Sequence, residues 1–169
     1  MSVDCIRIGA VRLCLALMLG LVVVPGYVVA PVLFAKAGSI SLAGSLAGNV
    51  FHLTNIGFLF LTAAVTVFWL RMRKTGTHAG RVRWSLLLLG ILFIATNEFG
   101  IAPVIADLKM QIGPMDQLAD DDPQRKLFGI WHGVSALLHL FAAISAAVLV
   151  SLGAKDACQK QLAKESCPS

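Results

Sequence analysis

The chain is 169 residues long, 57% hydrophobic and only 14% charged, with a formal net charge of +5. Soluble domains run at about 45–50% apolar and about 25% charged, so the composition excludes an ordinary water-soluble enzyme and indicates a membrane protein. The positive charge does not point to nucleic acid, because nowhere do basic and aromatic side chains interleave into a patch.

Apolar stretches of about 20 residues, the length that crosses roughly 30 Å of hydrocarbon, occur at Leu13–Phe34, Gly44–Leu70, Trp84–Ala106 and Leu127–Leu152. In lipid a single span must satisfy its own backbone hydrogen bonds, which forces helices. The expected fold is all-α: a bundle of four transmembrane helices at about residues 10–35, 42–71, 84–106 and 123–152. They form one domain over residues 1–152, followed by a short cytoplasmic tail, 153–169.

The first stretch also carries marks of a secretion signal: Arg7 and Arg12, the apolar run Leu13–Val24, and small residues at Val28-Val29-Ala30. Cleavage after Ala30 would put Pro31 just beyond the scissile bond, where its rigid ring and missing N–H fit a protease groove badly. A retained helix is expected. With four spans, ten basic residues fall on the side of the termini and the middle connection, against four (Lys36, Lys109, Arg125 and Lys126) on the other. The positive-inside rule then places both termini in the cytoplasm, in a bacterial inner membrane or its equivalent. Arg71–Arg83, with five basic residues, would lie on the anionic inner leaflet, each residue contributing about 1 kcal/mol. Cys5, Cys14, Cys158 and Cys167 all fall at the cytoplasmic side, so no disulfide is expected, and their spacing is unlike a zinc site.

Asp122-Pro123 reads as an N-cap followed by a proline at the first helical position, starting the fourth helix. Pro31 and Pro103 sit near the outer ends of the first and third helices, and Pro25 lies deeper, where it should bend the first. In the second, Ala43 with Ala47 and Gly44 with Gly48 are four apart, a pattern that lets helices approach closely in lipid. Ala30-Pro31 and Ala102-Pro103 recur in the first and third helices, as do Phe51-His52 and Trp131-His132 in the second and fourth. Two parallel helix hairpins related by an axis along the membrane normal would produce such a repeat.

Ionisable groups inside a bilayer cost about 2.5–3.5 kcal/mol on insertion scales and usually face the bundle interior. The polar and ionisable groups at this depth are Asn49, His52 and Asn55 on the second helix, Asn97 and Glu98 on the third, and His132, Ser135 and His139 on the fourth. His52, Glu98 and His132 share a level roughly 6–12 Å inside the outer boundary, at about 1.5 Å per residue. His132, Ser135 and His139 are spaced along one helix face. Ligand-binding groups are therefore expected at Asn55, Asn97, Glu98, Ser135 and His139, around an outward-facing polar cavity. For any one of these residues alone, hydrogen bonding between helices is the favoured reading, and only their convergence at one depth brings the cavity level with it. His52 and His132, on different helices, are the candidate pair for a metal or for the iron of haem b. His78, in the basic connection, is expected to be solvated.

VVAPVLF (Val28–Phe34), AGSLAGNVF (Ala43–Phe51), TNEFGIAPVIADL (Thr96–Leu108) and FGIWHGVSALLHL (Phe128–Leu140) together resemble the four-helix transmembrane-protein-205-like family, domain of unknown function 4149. Pro31, Leu33, Phe34, Ala43, Gly44, Phe51, Asn97, Pro103, His132 and Ser135 match its pattern. His52 stands where a proline often follows the phenylalanine, and His139 where an asparagine is usual. The resemblance covers about residues 10–150 and implies a fold and a membrane location. It brings no reaction with it.

Three functions follow. The first is a non-enzymatic membrane protein that uses the polar cavity for packing or small-ligand binding, with lipid and a second copy or partner helices around it. The second is a haem- or copper-binding redox component using His52 and His132. The third is a small proton-coupled exporter using Glu98. Soluble-enzyme chemistry lacks its parts: there is no phosphate loop, no nucleophile elbow and no facing carboxylates, and Asp120-Asp121-Asp122 lacks the spacing of a calcium loop.

Overall fold

The computed structural model describes residues 3–73, 79–113, 117–119 and 121–165, with side chains over 6–73, 79–113, 117–119 and 121–153. His78 and Asp120 lie outside the described residues, and so do the side chains of Cys5, Cys158 and Cys167. Cys14 is a free thiol. The described elements are helical: α1 (Val3–Val24), a π-turn (Pro25–Val29), α2 (Ala30–Lys36), α3 (Ile40–Arg73), α4 (Arg81–Ala95), a second π-turn (Thr96–Ile101), α5 (Ala102–Ile112) and α6 (Pro123–Glu165). They join into four helices long and apolar enough to cross a membrane: Ile6–Lys36, Ile40–Arg73, Arg81–Ile112 and Pro123–Gly153.

Short-range chemistry sets the boundaries. Ser39 Oγ accepts from the Leu42 amide at 3.1 Å and caps α3. Asp122 Oδ1 accepts from the Gln124 amide at 2.7 Å and caps α6 across Pro123. Gly113, at φ 72°, ends α5 in a conformation that only glycine adopts without strain. Beyond residue 152, α6 runs on to Glu165, through a stretch without glycine or proline after Gly153.

Both π-turns precede an Ala-Pro pair. The Ala30 N–H donates to the Pro25 carbonyl and the Ala102 N–H to the Asn97 carbonyl, each five residues back. A proline ring inside a helix clashes with the carbonyl four residues earlier and supplies no N–H. Widening the preceding turn relieves the clash and keeps the helix continuous, which is where π-turns commonly arise.

Along α3, Asn55, Phe58, Thr62, Val65, Trp69 and Met72 are buried at alternating spacings of three and four, one helix face. Of these, Phe58, Val65, Trp69 and Met72 share one core with Val11, Leu15, Met18 and Val22 of α1, Leu87 and Ile94 of α4, and Ala142, Ala143, Ala146 and Leu149 of α6. α1 packs on α3 and α6, and α4 packs on α6. The outside is apolar as well: Leu53 and Phe60 are each 73% exposed, an arrangement that costs nothing in hydrocarbon and a great deal in water.

Candidate functional site

Asn97 and Glu98 sit in the π-turn of the third span and are both buried. Neighbours on a helix point about 100° apart, so the two side chains reach different helices. Glu98 faces α3. One of its oxygens meets His52 Nδ1, and the other accepts from Asn55 Nδ2 at 2.8 Å. Asn97 faces α6, its Nδ2 lying 3.2 Å from His139 Nδ1. His139 closes the circuit, with Nε2 3.0 Å from Asn55 Oδ1. Three spans are thus joined by one chain of contacts, His52 to Glu98 to Asn55 to His139 to Asn97.

The proton positions follow from the donors available. An ionised Glu98 only accepts, which turns the Asn55 amide so that Nδ2 faces it and Oδ1 faces His139. Asn55 Oδ1 then requires a proton on His139 Nε2. In the neutral ring Nδ1 is left as an acceptor, matched to Asn97 Nδ2. Nδ1 has a second neighbour of opposite character, the Ser135 carbonyl at 3.3 Å. A proton on Nδ1 would be accepted there. Asn97 Oδ1, meanwhile, is buried without a partner among the described residues. Turning that amide would set Oδ1 against Nδ1, which makes a bond only when His139 carries its proton on Nδ1.

The chain also has an accessible end. The Glu98 side chain is 5% exposed, whereas that of His52 is 68% exposed. A buried carboxylate is costly unless it is paired and hydrogen-bonded, and here the imidazole and the amide supply both.

The other expected residues are placed as follows. Ser135 contributes its backbone carbonyl to His139. His132 is exposed and stacks on Phe128, with ring centroids 6.0 Å apart and planes within 9°. His52 is engaged by Glu98, so the two proposed metal or haem ligands meet different partners. Among the described residues no three His, Cys, Asp or Glu side chains are grouped to hold a metal ion. One hollow in the structure lies at the arginine-rich end, between Trp69, Arg73, Ala79, Arg81 and Trp84.

Lys109 is a participant that residue patterns did not single out. Its Nζ donates to the Gly44 carbonyl at 2.9 Å and stands 5.9 Å from the Phe128 ring centroid. The available signal was a lone cation near the C-terminal end of the third span, where a lysine lays its stem on apolar surface and seeks polar atoms for its head. That head lies beside the glycines at 44 and 48.

A family profile described as a domain of unknown function, DUF4149, matches residues 13–114. No curated protein and no solved structure matches the chain. The match takes in Asn55, Asn97, Glu98 and Lys109 and stops before α6, leaving His139 outside it. Covering well over half of the 169 residues, it shows that the chain belongs to the DUF4149 family.

Proposed function

We propose that this chain is a non-enzymatic integral membrane protein whose polar cluster binds and releases a proton at Glu98. The proton is the small ligand that suits the geometry: the carboxylate is enclosed, yet it touches an exposed imidazole. The carrying observation is the pairing of a buried Glu98 with His52 at the outer end of a chain of reversible groups.

Uptake would run as follows. A proton reaching Glu98 leaves the acid able to donate to Asn55 Oδ1 once that amide turns. Asn55 Nδ2 then donates to His139 Nε2 after the ring gives up its Nε2 proton to water and takes one from water at Nδ1, where the Ser135 carbonyl and a turned Asn97 accept it. The two arrangements have similar numbers of hydrogen bonds and opposite polarity, the property of a two-state element that a ligand can bias. The reading combines small-ligand binding with the proton-coupled role considered for Glu98. It takes both termini as cytoplasmic, which puts His52 toward the outer face and Arg71–Arg83 against anionic inner-leaflet lipid. The matching π-turns before Ala-Pro support a parallel hairpin repeat, and the helix-four motif supports the narrower likeness to transmembrane-protein-205-like proteins.

Infrared difference spectra of the purified protein, taken between acidic and alkaline buffer, test the reading. A protonated-carboxyl stretch should appear on acidification, vanish in Glu98→Gln and shift in Asn55→Ala. If the same band persists in Glu98→Gln, another group takes the proton and Glu98 is structural.

A further inference from the structure

At the arginine-rich end of the bundle, the last residue of α3 and the first of α4 are both arginines, Arg73 and Arg81. With Trp69, Ala79 and Trp84 they line a half-open pocket of about 290 Å³. The two indoles meet edge to face, centroids 5.2 Å apart and planes at 72°, and Trp69 is buried. The pocket therefore has a firm aromatic wall, with small Ala79 as part of its lining. Among the described residues no acidic side chain lines it. Arg73 and Arg81 bring two like charges to one hollow, and each guanidinium is a planar fork of donors that fits phosphate oxygens two at a time. Neighbouring arginines behave differently: Arg83 donates to the Leu152 carbonyl of α6 at 3.0 Å and is committed to holding helices together.

We propose that this pocket is a stoichiometric binding site for a phosphate-bearing anion, held between Arg73 and Arg81 against the Trp69–Trp84 wall. A volume at the lower edge of ordinary ligand pockets, about 300–1,000 Å³, suits a small headgroup and not a large cofactor. The anion's charge relieves the arginine pair, and the exposed rim lets an attached glycerol and acyl chains run outward. A lipid phosphate and a free phosphate present the same chemistry. The site is distinct from diffuse attraction of the basic segment to an anionic surface, because it depends on which arginines are present and not on how many. It also stands apart from the Glu98 reading, since the two share no residue.

The test uses the full chain with Trp131→Phe, so that emission comes from Trp69 and Trp84, and titrates it in neutral detergent with short-chain phosphatidylglycerol, short-chain phosphatidylcholine and inorganic phosphate. Phosphatidylglycerol should change the emission saturably. Arg73→Gln/Arg81→Gln should weaken that binding at least tenfold, and Arg73→Lys/Arg81→Lys, which keeps charge but loses the fork, should fall between. Arg71→Gln, outside the pocket, should bind like the parent. Competition by inorganic phosphate at comparable concentration assigns the site to free phosphate, and its failure to compete assigns it to the lipid. The proposal is overturned if the parent shows no saturable response, if Arg71→Gln weakens binding as much as the double lysine variant, or if the double glutamine variant binds like the parent. Thermal unfolding of each variant separates lost binding from lost fold.

Discussion

Lys109 and Gly44 are joined across the end of the bundle opposite Arg73 and Arg81, the ammonium 2.9 Å from the glycine carbonyl. A Cβ added at Gly44 would stand 3.8 Å from that nitrogen, and one at Gly48 3.9 Å, both ordinary contacts. These glycines therefore do not mark a close approach of helix backbones. The tight positions of the small-residue stripe are Ala43 and Ala47, both buried.

The substitutions should rank accordingly. Gly44→Ala and Gly48→Ala should be neutral or raise stability by about 0.5–1 kcal/mol, since alanine restrains the unfolded helix better than glycine. Ala43→Leu and Ala47→Leu should lose about 1–3 kcal/mol through overpacking. Thermal unfolding in detergent measures both sets, and glycine variants that fare worse than the leucine variants would overturn the assignment.

The bond from Asn55 to Glu98 should register as coupling. In a cycle of Asn55→Ala, Glu98→Ala and the double variant, the interaction should come out at about 0.6–1.7 kcal/mol, the range of hydrogen bonds between membrane helices. A coupling indistinguishable from zero would mean that the pair is incidental to stability.

His139 should be neutral, with its proton on Nε2, when Glu98 is ionised. Nitrogen NMR of the ring-labelled protein at alkaline pH should show Nε2 protonated and Nδ1 bare. The opposite tautomer would mean that the Asn55 amide faces the other way. His139→Phe should cost about 1–3 kcal/mol, because it strands Asn55 Oδ1 and Asn97 Nδ2 in a buried site.

Orientation has its own test. In a cysteine-free background, Gln111→Cys should react with a membrane-impermeant maleimide added to intact cells. Arg71→Cys should react only after permeabilisation. The reverse pattern would place the termini outside and detach Glu98 from the outer face.

The four spans were legible because crossing hydrocarbon demands length and apolarity together, and both are written residue by residue. The meeting of Asn55, Glu98 and His139 was legible in part, since polar side chains in lipid have few places to go but one another. Which histidine would take part was harder to read. His132 and His139 share a face of α6, yet they differ in depth by about 10.5 Å, and partners at each level come from the other helices. Asn97 and Asn55 await His139 at the deeper level, while Phe128 stacks with His132 nearer the rim. Lys109 escaped notice because a flexible side chain's destination depends on the hollow opposite, which no periodicity records. The prolines were visible as helix disturbances, but their resolution into widened turns depends on hydrogen bonds that shift by a single residue.

That single residue has a mechanical meaning in the third span. A π-turn holds one residue more than the α-turn it replaces, so everything beyond Thr96–Ile101 is rotated by about 100° against an uninterrupted helix. The two ends of this span are separately indexed, Leu87, Gly90 and Ile94 to the interior on one side, and Lys109 to Gly44 on the other. Shortening the span by one residue at Gly100 would act like a quarter-turn of a screw, carrying the lysine off its glycine while leaving the inner half seated.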